Sequence, residues 1–135
     1  MERTYQGSCH CGAVRFTARV DVSAGTAKCN CTICRKMRLW SVDADETTFA
    51  LVAGAGAMSD YMGRNDVAHH FFCKTCGIHA FDRVDVPNMT GHVYYNVAVA
   101  CLDGLDLDEL MAAPVTYYDG LHDAWDRVPD EVRHL

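Results

Sequence analysis

Seven of the eight cysteines in this 135-residue chain lie in three short groups. The groups are Cys9-x-Cys11, Cys29-x-Cys31-x-x-Cys34 and Cys73-x-x-Cys76, and Cys101 stands alone. Short-spaced thiols bring several sulfur atoms to one point, which is the ligand pattern that zinc and other soft metals prefer. The cysteine content lies below the ~8–10% typical of small disulfide scaffolds. The chain is therefore expected to be a cytosolic protein with thiol or metal chemistry rather than a disulfide framework.

The spacing divides the seven grouped cysteines into a set of four and a set of three. A C-x-C pair on a strand places both sulfurs on one face, because successive side chains alternate. A C-x-x-C pair also brings its two sulfurs together, through a tight turn. Gly77 after Cys76 lets the backbone direct its N–H groups toward sulfur. One pair from each end completes a closed tetrahedral zinc site on four residues: Cys9, Cys11, Cys73 and Cys76.

The remaining set, Cys29, Cys31 and Cys34, offers three ligands from one local segment. Three protein ligands are typical of an open metal site, but a histidine, Cys101 or another side chain could complete a closed one, and the spacing does not decide between them. Zinc with three thiolates is a weak Lewis acid for water, yet it can hold a fourth thiol as a nucleophilic thiolate. The pattern predicts two zinc ions per chain and favours sulfur chemistry over hydrolysis.

Other roles for the cysteines and histidines are less favoured. A thioredoxin-type redox C-x-x-C belongs before a helix, and we expect no helix after Cys34 or Cys76. Cys101 lies in an apolar stretch and is interpreted as a core thiol. Solvated or core positions, not ligation, are expected for the histidines: His10, His69, His70, His79, His92, His122 and His134.

The net charge of −6 disfavours a protein held to nucleic acid by bulk charge. Four of the twelve basic residues nevertheless cluster around the second cysteine group: Lys28, Arg35, Lys36 and Arg38. Such a positive field would attract an anionic thiol and lower its pKa. The alternative is a solvated basic turn. No nucleic-acid partner is expected.

Half of the residues are hydrophobic and 22% are charged, which is enough apolar material for one globular domain over residues 1–135. The first residues contain no apolar signal segment, and the apolar stretch Val93 to Leu102 is about half a membrane span. We expect a cytoplasmic protein without a membrane partner. Oligomeric state is not readable from the sequence.

Alternating and β-rich segments predict a mainly extended chain. The richest in β-branched and aromatic residues is Val93–Ala100, which we predict as a central strand. One short helix is predicted at Leu107–Ala112, capped by Asp106 and stopped by Pro114. The other predicted extended segments are 14–20, 49–52, 59–62 and a hairpin of 69–72 with 78–81 whose tip carries two thiols.

Three motifs resemble, in order, those of the glutathione-dependent formaldehyde-activating enzyme family, a domain type shared with centromere protein V. The motifs are Gly7-Ser8-Cys9-His10-Cys11-Gly12-Ala13-Val14, Cys29-Asn30-Cys31-x-x-Cys34 and Phe72-Cys73-x-x-Cys76-Gly77. The segments from Asn96 to Gly104 and Tyr118-Asp119-Gly120 are similar to the family's C-terminal half. The similarity spans most of residues 5–120.

The resemblance implies a mainly β fold, the β-tent of layered antiparallel sheets built around zinc sites, with few short helices. It implies a structural zinc on Cys9, Cys11, Cys73 and Cys76, and a catalytic zinc on Cys29, Cys31 and Cys34 whose open position takes the substrate sulfur.

The implied activity is that of a carbon–sulfur lyase with a small thiol partner. In the family's namesake, glutathione and formaldehyde form S-hydroxymethylglutathione, a step of formaldehyde detoxification. The relation to centromere protein V implies the alternative, a zinc-stabilised binding or interaction module without catalysis.

Overall fold

The computed structural model describes residues 1–63, 67–85 and 92–135. The described residues form ten strands: β1 (Arg3–Ser8), β2 (Arg15–Val20), β3 (Thr26–Cys29), β4 (Trp40–Asp45), β5 (Phe49–Ala53), β6 (Met58–Tyr61), β7 (Ala68–Cys73), β8 (His79–Asp85), β9 (Val93–Ala98) and β10 (Val115–Tyr118). They also form two α-helices, α1 (Thr32–Met37) and α2 (Leu107–Ala112), and several 3₁₀ turns. The predicted mainly β fold with few short helices is confirmed.

The strands build two sheets. β1, β2 and β5 form a three-stranded antiparallel sheet, and the other seven form a second sheet in the order β10-β3-β4-β9-β8-β7-β6. The predicted layering of antiparallel sheets is confirmed, with one addition: the edge strand β10 pairs parallel to β3. β9 lies fourth of seven and is central, as its β-branched and aromatic composition predicts.

An aromatic cluster joins the two sheets. Phe16 and Phe49 come from the small sheet, and Phe81 and Tyr95 come from the large one. The Phe49 ring stacks on Tyr95 at a centroid distance of 4.0 Å and lies 4.7 Å from Phe81. Phe16 lies 5.4 Å from Phe49 and 5.6 Å from Phe81. Such ring pairs add about 0.5–1.5 kcal/mol each beyond the area they bury.

One of the two helices, α2, was predicted from its capping residue, and the other, α1, was not. α2 has its predicted bounds, and its Asp106 cap accepts from the Glu109 N–H at 2.9 Å. α1 contradicts the expectation that no helix follows the second cysteine group. Its N-cap is Cys31, whose sulfur accepts from the Cys34 N–H at 3.5 Å. A cysteine cap carries none of the Ser, Thr, Asp or Asn signal on which helix prediction relies.

The prediction that Cys9 and Cys11 share one face of a strand is wrong, because both residues lie beyond the end of β1, in the turn to β2. The Gly12 N–H donates to the Cys9 carbonyl at 3.2 Å, and Gly12 takes a φ of +80° that favours glycine. A turn, not a pleat, therefore brings the two sulfurs together. The β7–β8 hairpin with a two-thiol tip is present as predicted.

Within the described ranges, no helix combines the length and apolarity needed to cross a membrane.

We expect Phe16→Ala to lower the free energy of unfolding by about 3–5 kcal/mol, because it empties a fully buried site between the sheets. Urea denaturation of the zinc-containing protein measures the loss. Phe72→Ala is the control, since that ring is 36% exposed and lies outside the aromatic cluster. An equal loss for both variants would show that the cluster does not hold the sheets together.

Candidate metal centres

The first centre joins two distant turns of the chain. Cys9 and Cys11 lie in the β1–β2 turn of the small sheet, and Cys73 and Cys76 lie at the tip of the β7–β8 hairpin of the large sheet. All four sulfur atoms lie within 4.8 Å of one another. None of the cysteines is in a disulfide. The set of four that the spacing predicts is therefore brought together by the fold.

The sulfur separations fit a tetrahedral metal. The Cys11 sulfur lies 3.7 Å from that of Cys9 and 3.6 Å from that of Cys73. Zinc–sulfur bonds of ~2.3 Å in tetrahedral geometry place neighbouring sulfurs about 3.8 Å apart, whereas a disulfide holds them at ~2.05 Å. A thiol-only donor set with this spacing suits zinc and does not suit calcium or magnesium.

Backbone N–H groups also point at these sulfurs. The Val14 N–H donates to the Cys9 sulfur at 3.3 Å. The N–H groups of Cys76 and Thr75 donate to the Cys73 sulfur and lower the pKa of that thiol against the opposing effect of burial. Equivalent donors lower the pKa of Cys76 to about 6. These contacts favour the thiolate, which is the form that binds a metal.

The second centre is local. Cys29 ends β3, Cys31 caps α1 and Cys34 lies in its first turn, and their sulfurs also lie within 4.8 Å of one another. The Cys31 N–H donates to the Cys29 sulfur at 3.4 Å. Donation from the thiols of Cys29 and Cys34 lowers the pKa of Cys31 to about 2, although burial opposes it. The three residues are only partly buried.

In the part of the chain that the structure describes, no fourth cysteine, histidine or carboxylate joins this group of three. Cys101, one of the alternatives for a fourth ligand, lies elsewhere: it is buried, and its sulfur faces the His79 carbonyl at 3.9 Å. Burial raises the pKa of Cys101 to about 11, as expected for a core thiol. The described residues therefore leave the group with three protein ligands.

Asn30, the single residue between Cys29 and Cys31, is hydrogen-bonded to a buried carboxylate of the C-terminal segment. Asp119 accepts from the Asn30 amide at 2.8 Å, from His122 Nδ1 at 2.9 Å and from the Arg127 guanidinium. Donation from Asn30 and Arg127 holds the pKa of Asp119 well below its usual range. Asp119 thus binds Asn30, the residue that separates the candidate ligands Cys29 and Cys31.

Gly120 allows that segment to approach the sulfurs closely. A Cβ at this position would lie 2.7 Å from the Cys29 sulfur, 2.8 Å from the Trp125 ring and 3.1 Å from the Cys31 Cβ. These distances are too short for any larger residue. The family resemblance includes Asp119 and Gly120, but their supporting role is visible only in the fold.

The three cysteines line a cavity of about 730 Å³. Of the four basic residues predicted to form a positive field, only Lys28 lines it, and its Nζ donates to the Leu135 carbonyl at 2.9 Å. Arg35 lines a smaller cavity of about 200 Å³. The cavity wall also carries Asp43, Asp45 and Asp123. Arg35, Lys36 and Arg38 therefore do not line the cavity that the three cysteines open onto.

A third cluster is formed by two histidines that the sequence predicts only at solvated or core positions. The buried Asp82 Oδ1 accepts from His70 Nδ1 at 2.7 Å and from His79 Nε2 at 2.5 Å. His70 and Asp82 line the 730 Å³ cavity together with the three cysteines. The available signal was an aspartate with the apolar residues Ala80 and Val84 two positions away on either side in the strand, because a buried carboxylate requires hydrogen-bond partners.

Comparison with known proteins bears on this arrangement. The sequence model of the family described as glutathione-dependent formaldehyde-activating enzyme matches residues 4–118. A crystal structure of a Rhodobacter sphaeroides protein is similar at 30% sequence identity and a TM-score of 0.68, covering 82% of this chain and 99% of that one.

The two centres should respond differently to loss of a ligand. Cys73→Ser removes a ligand from the centre that joins the two sheets, so we expect insoluble protein or the loss of a cooperative thermal transition. Cys31→Ser should leave a folded domain with one zinc fewer, because its group is local. Thermal melts and zinc analysis of reduced protein test both variants.

Cys101→Ala is the matched control and should keep two zinc ions per chain, since Cys101 lies outside both clusters. Equal destabilisation by Cys73→Ser and Cys31→Ser would mean that the three-cysteine group is also structural. Wild-type protein without zinc would contradict the assignment of both centres.

Gly120→Ala should weaken the metal affinity of the three-cysteine group by about 10–100-fold, the usual effect of disturbing the support of metal ligands. The four-cysteine group should be unaffected. Competition with a chelator, followed as biphasic zinc release, measures the two affinities separately. Gly56→Ala is the control because a Cβ there meets nothing within 4 Å. An unchanged metal affinity of the three-cysteine group in Gly120→Ala would contradict the close-approach argument.

Proposed function

Because its sequence matches the family's model over residues 4–118, the chain belongs to the glutathione-dependent formaldehyde-activating enzyme family, and we propose that it is a zinc-dependent carbon–sulfur lyase. The proposed substrate is the adduct of a small thiol and an aldehyde, with S-hydroxymethylglutathione, from glutathione and formaldehyde, as the first compound to test. In this proposal residues 1–135 act as one domain with two zinc ions.

The observation that carries the proposal is a group of three cysteines, without a fourth ligand among the described residues, that opens onto a cavity of about 730 Å³. A purely structural zinc site is closed by four protein ligands, whereas a reactive one keeps a position free. Ligand cavities of ~300–1,000 Å³ hold molecules of drug or tripeptide size. Both features favour a site that accepts a thiol from outside.

The two cysteine groups take different roles in the proposal. Cys9, Cys11, Cys73 and Cys76 hold the structural zinc, and Cys29, Cys31 and Cys34 hold the catalytic zinc. Zinc with three thiolates supplies a position for a further sulfur and favours its thiolate form.

The surrounding residues keep this arrangement in place. Asn30 lies between Cys29 and Cys31, and its hydrogen bond to Asp119 holds this part of the chain in place. Gly120 packs directly against the Cys29 sulfur. A preorganised ligand set loses little free energy to reorganisation when substrate enters.

The reaction itself is an addition and its reverse. A carbon–sulfur bond forms between the thiol sulfur and the aldehyde carbon, the π pair of the carbonyl moves to oxygen, and the thiol proton ends on that oxygen. Cleavage of the adduct runs through the same steps backwards. No redox partner is required.

We expect the wild-type protein to accelerate exchange between ¹³C-formaldehyde, glutathione and their adduct beyond the uncatalysed rate, as measured by exchange NMR. Cys31→Ser should abolish the acceleration, and Cys101→Ala should retain it. In cobalt-substituted protein, glutathione should shift the thiolate-to-metal absorption.

Absence of both the acceleration and the spectral shift, with any thiol at millimolar concentration, would support the alternative of a zinc-stabilised binding module. A shift without acceleration would retain thiol binding and reject the lyase activity.

A further inference from the structure

The buried cluster of His70, Asp82 and His79 lies on the β7–β8 hairpin and reaches the cavity of the three-cysteine group. His70 and Asp82 face each other directly across the two strands. His79 and Asp82 are three residues apart, a separation that points side chains to opposite faces of a regular strand. A register shift opposite Phe71 and Phe72 adds a residue to β8 and lets both side chains meet.

The distances in this cluster are those of hydrogen bonds and not of a metal site. Zinc bonds to nitrogen or oxygen of ~2.0–2.1 Å place neighbouring tetrahedral ligands about 3.3 Å apart. The two nitrogens instead lie 2.7 and 2.5 Å from the same carboxylate oxygen. Charge-assisted hydrogen bonds have such lengths.

Asp82 is ionised and sets the protonation pattern of its neighbours. Burial opposes ionisation, but donation from His70 and His79 outweighs it and lowers the pKa of Asp82. Because a carboxylate only accepts, His70 carries a proton on Nδ1, so that Nε2 is the nitrogen that can gain or lose one. Within residues 1–63, 67–85 and 92–135, Nε2 of His70 has no hydrogen-bond partner.

The charges around His70 keep its imidazole able to hold a proton. Burial lowers the pKa of His70, but the hydrogen bond to Asp82 and its charge outweigh burial and raise it overall, with further contributions from Cys31 and Asp60. The Tyr61 ring of β6 lies 6.4 Å from the His70 ring, and His79 lies 6.3 Å away on β8. A histidine whose Nδ1 is held by a carboxylate can accept and return a proton through Nε2.

We propose that His70 transfers the proton in the thiol–aldehyde reaction and that Asp82 and His79 are its positioning residues. Nε2 of His70 accepts the proton of the incoming S–H group, the sulfur electron pair forms the bond to the aldehyde carbon, and the π pair moves to oxygen. His70 then returns the proton to that oxygen. In cleavage, His70 removes the proton from the hydroxyl group of the adduct and returns it to the sulfur that leaves.

This inference rests on the proposed function and adds the residue that moves the proton. The proton lost by the thiol and the one gained by the oxygen pass through the same nitrogen, so the enzyme returns to its starting state. The competing explanation is that the cluster only stabilises the hairpin, as a buried ion pair with satisfied partners can.

His70→Asn separates the two explanations. The asparagine amide takes the place of Nδ1–H and can still donate to Asp82, but the variant has no counterpart of Nε2. We expect the exchange rate above background to fall by about 100-fold or more, the usual contribution of general acid–base catalysis. Zinc content and the glutathione-induced cobalt shift should stay as in wild type.

His69→Asn is the matched control. His69 is the neighbouring residue on β7, its Nδ1 binds Asp60 Oδ2 at 2.7 Å in the same manner, and it does not line the cavity. This variant should keep the wild-type exchange rate. Wild-type protein without acceleration would overturn the proposed function and this inference together, whereas active wild type with an equally active His70→Asn would overturn only the role of His70.

A spectroscopic measurement does not depend on turnover. ¹⁵N NMR of the imidazole nitrogens should show His70 with its proton on Nδ1, and glutathione should shift the His70 Nε2 resonance but not that of His69. Asp82→Asn should abolish the fixed tautomer. If His70→Asn fails to fold, the wild-type spectrum decides: an Nε2 resonance that is unchanged by glutathione overturns the proposal.

Discussion

The meeting of two cysteine pairs that are 62 residues apart organises the rest of this structure. One pair belongs to the turn of the small sheet and the other to the hairpin of the large sheet, so a metal ion bound by all four sulfurs would join the two layers. The free energy of binding a structural zinc is folding free energy. On the same two sheets the aromatic cluster of Phe16, Phe49, Phe81 and Tyr95 supplies the apolar contact. A small domain with a limited apolar core would thus gain stability from a metal bridge.

The β7–β8 hairpin connects this bridge to the candidate reactive site. Its tip carries Cys73 and Cys76, and three residues before and after them stand His70 and His79. The register shift in the hairpin is what turns His79 toward Asp82. A metal bound at the tip would therefore also limit the motion of His70, which lines the cavity.

The three-cysteine group is organised from the other side of the cavity. β3 delivers Cys29, α1 delivers Cys34, and the segment after β10 returns Asp119 and Gly120 to the loop between them. The parallel pairing of β10 with β3 accounts for this return, because it places the end of β10 next to the end of β3, where Tyr118 pairs with Cys29. The negative charge of Asp119 is paired with the Arg127 guanidinium, which reduces its repulsion of a nearby thiolate group.

Short-range spacing was enough to predict the two cysteine sets, the β7–β8 hairpin, the central strand β9 and the capped helix α2, since turns, caps and strand composition act over a few residues. The sequence did not reveal that α1 begins on a cysteine cap or that Cys9 and Cys11 lie in a turn. The cluster of His70, Asp82 and His79 and the support of Asn30 by Asp119 depend on strand register and on contacts between residues 12 and 89 positions apart. Only the tertiary structure determines these, because a hydrogen bond between distant residues leaves no periodic pattern in either segment.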